Sequence, residues 1–234
     1  MEWMEMSKKF LDEIIGSNKK QSLEQEDEFL QPLIDEINLI NNEDIKSFVR
    51  SVLIKASSFW EVPSSFSGKY HPPDEHGMGG NVLHTKRVVR VASVIASSYM
   101  LSDEEFDVVI ASCLLHDITK GIKSNSEESF HYDPMHPYTV QSFIEKCIEH
   151  DKQFGDDSCS TTLFIQEEAI QTIMRLVRCH LGPWSPVPET YPITYLDYIV
   201  HLADNVSSKI HVFIEDSELI NDIYRKNEGS KNSK

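Results

Sequence analysis

Residues 103–117 read DEEFDVVIASCLLHD, and their spacing decides the fold. Phe106, Ile110, Cys113 and Asp117 recur at intervals of four, three and four, which is one face of a helix. Ser102 and Glu105 form a capping-box pair that marks its start. The apolar face therefore ends on an acid, Asp117, with His116 beside it. An ionised carboxylate on a buried face is costly unless it is paired or binds metal.

Working outward, the helical period covers most of the chain. Helices are expected near 29–40, 43–58, 82–100, 136–149, 165–180 and 192–215, with a weaker one at 3–15 carried by Trp3, Met6, Phe10 and Ile14. Near 43–58, Ile45, Phe48, Val49, Val52, Leu53 and Ala56 form a single stripe. Residues 16–27 read as a polar linker, and 119–134 and 151–163 as loops. No strand shows sustained alternation, so the class is all-α. Residues 61–81, EVPSSFSGKYHPPDEHGMGGN, hold three prolines and four glycines and break the pattern. A loop this long inside a compact domain is usually functional.

Composition sets bounds. The 234 residues carry 38 Asp+Glu against 22 Lys+Arg, a formal charge of −16. Such a body repels a phosphate backbone at long range, which argues against long duplex nucleic acid as a partner. The four cysteines form no CxxC pair and read as inert thiols in a reducing compartment. No run approaches the ~18 apolar residues of a membrane span. With no signal-peptide core at the N-terminus, a cytoplasmic, membrane-free protein is expected.

Further chemistry-bearing side chains sit on apolar faces. His84 leads Val88, Val91 and Ile95, and His136 leads Val140, Phe143 and Cys147, each at +4, +7 and +11. His180 closes a helix after Ala169, Ile173 and Leu176, and Asp204 follows Val200 by four. A lone inward histidine is usually a satisfied core residue. Several helices presenting His or Asp inward point instead to a metal centre inside a helical bundle. No GxSxG, GxxxxGK[ST] or GxGxxG motif offers another route to catalysis.

The words CLLHDITKG, GGNVLHTKRVVRVA and HLADNVSS make the chain recognisable. The order His84, His116-Asp117, Asp204 resembles the H…HD…D pattern of the HD-domain phosphohydrolase superfamily, over residues 79 to about 210. MHPYTVQSFI and RCHLGPW add His136 and His180, so that the set resembles the six-ligand, two-metal subgroups. The resemblance implies an all-α HD-type bundle, with an N-terminal helical extension over 1–60, the hydrolase domain over 61–217 and a tail over 218–234. One ion would take His84, His116, Asp117 and Asp204, the other Asp117, His136 and His180. The alternative is a single ion, with His136 and His180 supporting its ligands or binding phosphate. The cofactors implied are divalent cations (Mn, Fe, Zn, Ni, Co or Mg), two per chain.

The implied activity is hydrolysis of a phosphoester or phosphoanhydride in a nucleotide or short nucleic acid. The small phosphorylated substrate would be attacked by a metal-activated water. Asp117 and Lys120 are the catalytic candidates. Lys120, Lys69, His76 and Trp184 are the candidates for holding substrate, and the glycine-rich loop is expected to cap the pocket. Packing under that loop is the other reading of Trp184. Lys86, Arg87 and Arg90 read as a solvated face. Two other readings remain at this point: an HD-fold diiron oxygenase, similar to myo-inositol oxygenase, and a catalytically silent nucleotide-binding module.

Overall fold

The computed structural model describes residues 26–123, 130–154 and 165–209. The helix expected at 3–15, most of the polar linker, Cys159, His211 and the tail lie outside the described residues. Within them the chain is all-α, as expected. The helices are α1 (Ile34–Ile37), α2 (Glu43–Lys55), α3 (Gly80–Tyr99), α4 (Asp103–Leu115), α5 (His136–Phe154), α6 (Glu167–Cys179) and α7 (Tyr195–Ser207).

Helix α4 is the axis of the bundle. Every residue from Asp107 to Leu115 is buried, and α1, α2, α3, α6 and α7 all touch it. A helix apolar on all sides is stable only where neighbours surround it. Its start is the foreseen capping box, with the Glu105 N–H donating to Ser102 Oγ and the Ser102 N–H to Glu105 Oε2. Thr194 and Asp197 form a second box, which starts α7 three residues later than the pattern suggested. Helix α7 also ends early, at Ser207.

One apolar cluster runs from Leu30 to Ala203, so the N-terminal helices share the core of the bundle. Polar contacts fasten them as well. The Asp107 carboxylate accepts the backbone N–H groups of Asn41 and Asn42 at 2.9 and 2.8 Å. The fully buried Glu36 faces Lys86 Nζ at 3.0 Å and Arg90 Nε at 3.8 Å. The solvated face expected of Lys86, Arg87 and Arg90 is thus corrected: all three are half-buried and serve ion pairs with Glu36 or with the loop before α3. Their partners are remote in sequence, so the stripe argument could not see them.

Other departures have local causes. The helix expected at 29–40 is broken by a 3-10 turn at Gln31–Leu33, where Pro32 has no N–H to give. The loop expected at 119–134 contains a hairpin, β1 (Gly121–Lys123) antiparallel to β2 (Phe130–Tyr132), in register Gly121↔Tyr132 and Lys123↔Phe130. Strands of three residues are too short for alternation to show. Cys113, Cys147 and Cys179 are buried free thiols. Burial pushes Cys147 up to about 12 and Cys179 up to about 11, and raises Cys113 too, in keeping with inert thiols. No helix among the described residues is long and apolar enough to cross a membrane.

Candidate metal centre

Helices α4 and α6 both end at the middle of the bundle. His116 follows the last residue of α4, and His180 follows the last residue of α6. A helix C-terminus leaves carbonyls unpaired and carries partial negative charge. Each histidine uses one such carbonyl, His116 Nδ1 facing Cys113 O at 2.7 Å and His180 Nδ1 facing Val177 O at 2.6 Å. His136, which opens α5, makes the same i−3 contact to Asp133 O at 2.7 Å. A nitrogen facing a carbonyl must carry the proton. In the neutral form of each ring, therefore, the lone pair falls on Nε2, which points inward.

Those lone pairs meet other acceptors. His136 Nε2 lies 3.1 Å from His180 Nε2 and 3.0 Å from Asp117 Oδ1. His180 Nε2 is 3.7 Å from the same carboxylate oxygen. His116 Nε2 is buried without a hydrogen bond, 3.3 Å from Asp117 Oδ2 and 3.9 Å from Asp204 Oδ1. His84 Nε2 is 3.0 Å from Asp204 Oδ1 and 3.9 Å from Asp117 Oδ2. Asp117 thus stands between two sets, His84–His116 at one oxygen and His136–His180 at the other, and both sets have the closeness a cation needs. A buried ring nitrogen without a partner, as at His116 Nε2, is destabilising as it stands. A divalent cation is the group that satisfies imidazole and carboxylate together, so these residues fit one.

The protonation states suit that fit. Burial opposes the charge on Asp117, but Lys120 and His116 outweigh it and hold the carboxyl well below the usual range. Asp204 likewise overcomes burial through its bond to His84 and stays far below it. Burial, with the charge of His136 behind it, pushes His180 down to about 3. His84 is the exception. Burial disfavours its cation, yet Asp204 and Glu75 prevail and raise it from 6.5 to about 9.

A ligand histidine must be neutral, so a metal bound by His84 would have to displace this proton. Affinity for a divalent cation is therefore expected to rise about tenfold per pH unit from 6.5 to 9 and then level off, with about one proton released at pH 7–8. In the metal-free protein the sign reverses: the stabilisation from charged His84 is complete below pH 6.5 and is lost as pH rises through about 9. Titration calorimetry in buffers of different ionisation enthalpy measures the release. Affinity independent of pH across this window would contradict it.

The remaining candidates divide. Lys120 is buried, with Nζ 2.6 Å from Asp117 Oδ2, so it belongs to the centre and not to a solvated surface. Lys69 is exposed on the loop, and its N–H donates to Ser67 Oγ. His76 directs Nε2 to the carbonyls of Tyr70 and His71, at 3.1 and 3.0 Å, closing the loop on itself. Trp184 is 66% exposed, which corrects the expectation that it packs under the loop. Its ring lies beside His201 and under Lys209 Nζ. None of these three joins the ligand cluster. His201 supports it from behind, its Nδ1 facing the His180 carbonyl at 2.8 Å. Gly182 packs against that ring at φ +57°, where a Cβ would strike the imidazole.

Two residues at the centre, Tyr132 and Glu75, escaped the sequence reading of the site, and His71 entered it only as part of the loop expected to cap the pocket. Tyr132 of β2 sets its ring 5.6 Å from that of His136. Glu75 and His71 stand behind His84. All lie in segments without helical period, and no spacing signal marks them.

A family profile described as HD domain matches residues 82–209, more than half of the chain. The chain belongs to the HD-domain family. The HD domain begins with the helix that carries His84 and ends just past Asp204, and so takes in all six candidate ligands. HD domains are in general metal-dependent hydrolases that bind divalent cations, and the His/Asp clusters of this one are compatible with that. No curated protein and no solved structure matches the chain.

Proposed function

We propose that this HD domain hydrolyses a phosphoester or phosphoanhydride of a nucleotide or short nucleic acid. Two divalent cations would be held, one by His84, His116, Asp117 and Asp204 and the other by Asp117, His136 and His180. The observation that carries this reading is the double-faced Asp117, with each carboxylate oxygen turned to a separate pair of imidazoles. Such cations would supply Lewis acidity, lowering the pKa of water and polarising a phosphoryl oxygen.

The chain's own residues do the rest. Three imidazoles are fixed by backbone carbonyls, which holds their lone pairs without reorganisation. Burial of His84, His116, His136 and His180 keeps bulk water from screening the charges. Lys120 brings a point charge to the edge of the site, within reach of a phosphate oxygen. Its presence matters because the chain as a whole, at −16, repels a phosphorylated substrate.

A metal-reconstituted hydrolysis screen tests this over nucleoside mono-, di- and triphosphates, cyclic dinucleotides and short oligonucleotides. Turnover that needs added metal supports the proposal. Tight nucleotide binding without turnover under any metal would reject it. The two-ion assignment makes a separate prediction: His136→Ala should keep about one ion per chain by elemental analysis and lose most turnover. Two ions retained in that variant would remove His136 from the centre.

A further inference from the structure

The loop before α3 is built around one carboxylate. Glu75 is fully buried. Its Oε1 pairs with Arg87, whose guanidinium also holds Asp74. Its Oε2 accepts from His71 Nδ1 at 2.9 Å and faces His84 Nδ1 at 3.4 Å. The backbone fixes this placement. The Ser64 N–H donates to the Glu75 carbonyl at 3.0 Å, the Asn81 N–H to Val62 O at 3.1 Å, and the His71 N–H to Ser208 O at 2.9 Å. Gly80, in the first turn of α3, has no Cβ, and one there would run into the Glu75 carbonyl. That close approach brings the loop against the helix just where His84 sits.

His84 needs such a partner more than the other imidazoles do. His116, His136 and His180 each place Nδ1 on the carbonyl three residues back. His84 lies inside α3, where the carbonyls are used by the helix, and its buried Nδ1 makes no hydrogen bond, with Glu75 Oε2 facing it at 3.4 Å. Glu75 is the acceptor that faces it.

We propose that Glu75 is a positioning residue for His84. It would accept the Nδ1–H and so direct the Nε2 lone pair to the cation, doing through a side chain what backbone carbonyls do for the other three rings. The proposal rests on the metal-centre reading above. A third cation among His71, Glu75 and His84 fits the spacing, since their donor atoms lie within 4.8 Å of one another. Charge argues against it. Arg87 already neutralises Glu75, and an ion on His84 Nδ1 would require the ring to give up its last proton. The loop therefore buttresses the centre from behind.

The test uses the full chain and zinc. Competition with a chelator measures affinity, and long-range 15N NMR of the zinc-loaded protein reports the His84 tautomer. Failure of the wild type to bind zinc would reject the metal centre itself, whatever Glu75 does. With wild-type binding in hand, Glu75→Ala should weaken zinc about 10–100-fold and abolish the slowly exchanging His84 Nδ1–H signal. Glu75→Gln keeps an acceptor oxygen in the same shape and should recover part of both. A purely structural role would lower stability without changing the tautomer. Wild-type affinity and an unchanged His84 signal in folded Glu75→Ala would overturn the proposal. Should that variant not fold, the same pair of results in Glu75→Gln would overturn it.

Discussion

Asp117→Ala is expected to bring bound metal to background and to lower turnover by more than about 10³-fold, because one carboxylate faces both ligand pairs and divalent cations contribute several kcal/mol to the transition state. The helical fold should persist, since α4 is held by apolar packing along its whole length. Stability should drop, however. Removing the anion leaves the buried Lys120 ammonium without its partner, a loss of about 3–5 kcal/mol for a broken buried pair. Asp117→Asn, of the same shape, is the companion variant. Elemental analysis, circular dichroism and steady-state rates check these outcomes together. Full metal and full turnover in either variant would dismantle the site.

Lys120→Ala separates substrate recognition from metal binding. Its Nζ lies 2.6 Å from Asp117 Oδ2. A cation at the centre competes for that oxygen, so removing the lysine should leave metal content intact. What is lost is a positive charge aimed where negative charge develops, typically worth about 10²–10³ in rate. We therefore expect kcat/KM on a phosphorylated substrate to fall by that factor with metals and fold retained. Lys120→Arg should restore only part, since a planar fork does not replace a point charge. Wild-type kinetics in Lys120→Ala would leave phosphate recognition to the cations alone.

These predictions concern residues that could be read from the sequence, and the reason is physical. Asp117, His136 and His180 stand at helix ends in phase with apolar faces, and a helix end in phase with the core must point inward. Asp204 and His84 share such faces on α7 and α3, which pack directly on one another. The fold was legible for the same reason: the long helices carry apolar residues at helical spacing, and the interior of α4 is mostly apolar.

What stayed hidden has no period. Glu75 and His71 lie in a loop whose shape is set by distant contacts, among them Gly80 and Ser208. The hairpin that carries Tyr132 is too short to alternate. Arg87 follows His84 by three and looked like surface charge, yet it pairs with Glu75 twelve residues earlier. The i−3 carbonyl contacts of His116, His136 and His180 fix the tautomers, and they too follow from backbone geometry that residue types do not announce.

A metal centre around Asp117 is tested most directly by crystallography. Protein prepared without chelator and loaded with manganese should give two anomalous peaks flanking the Asp117 carboxylate, one beside His84, His116 and Asp204, the other beside His136 and His180. A single peak on the His84 side would reduce the site to one ion. No peak among these six residues would contradict the account.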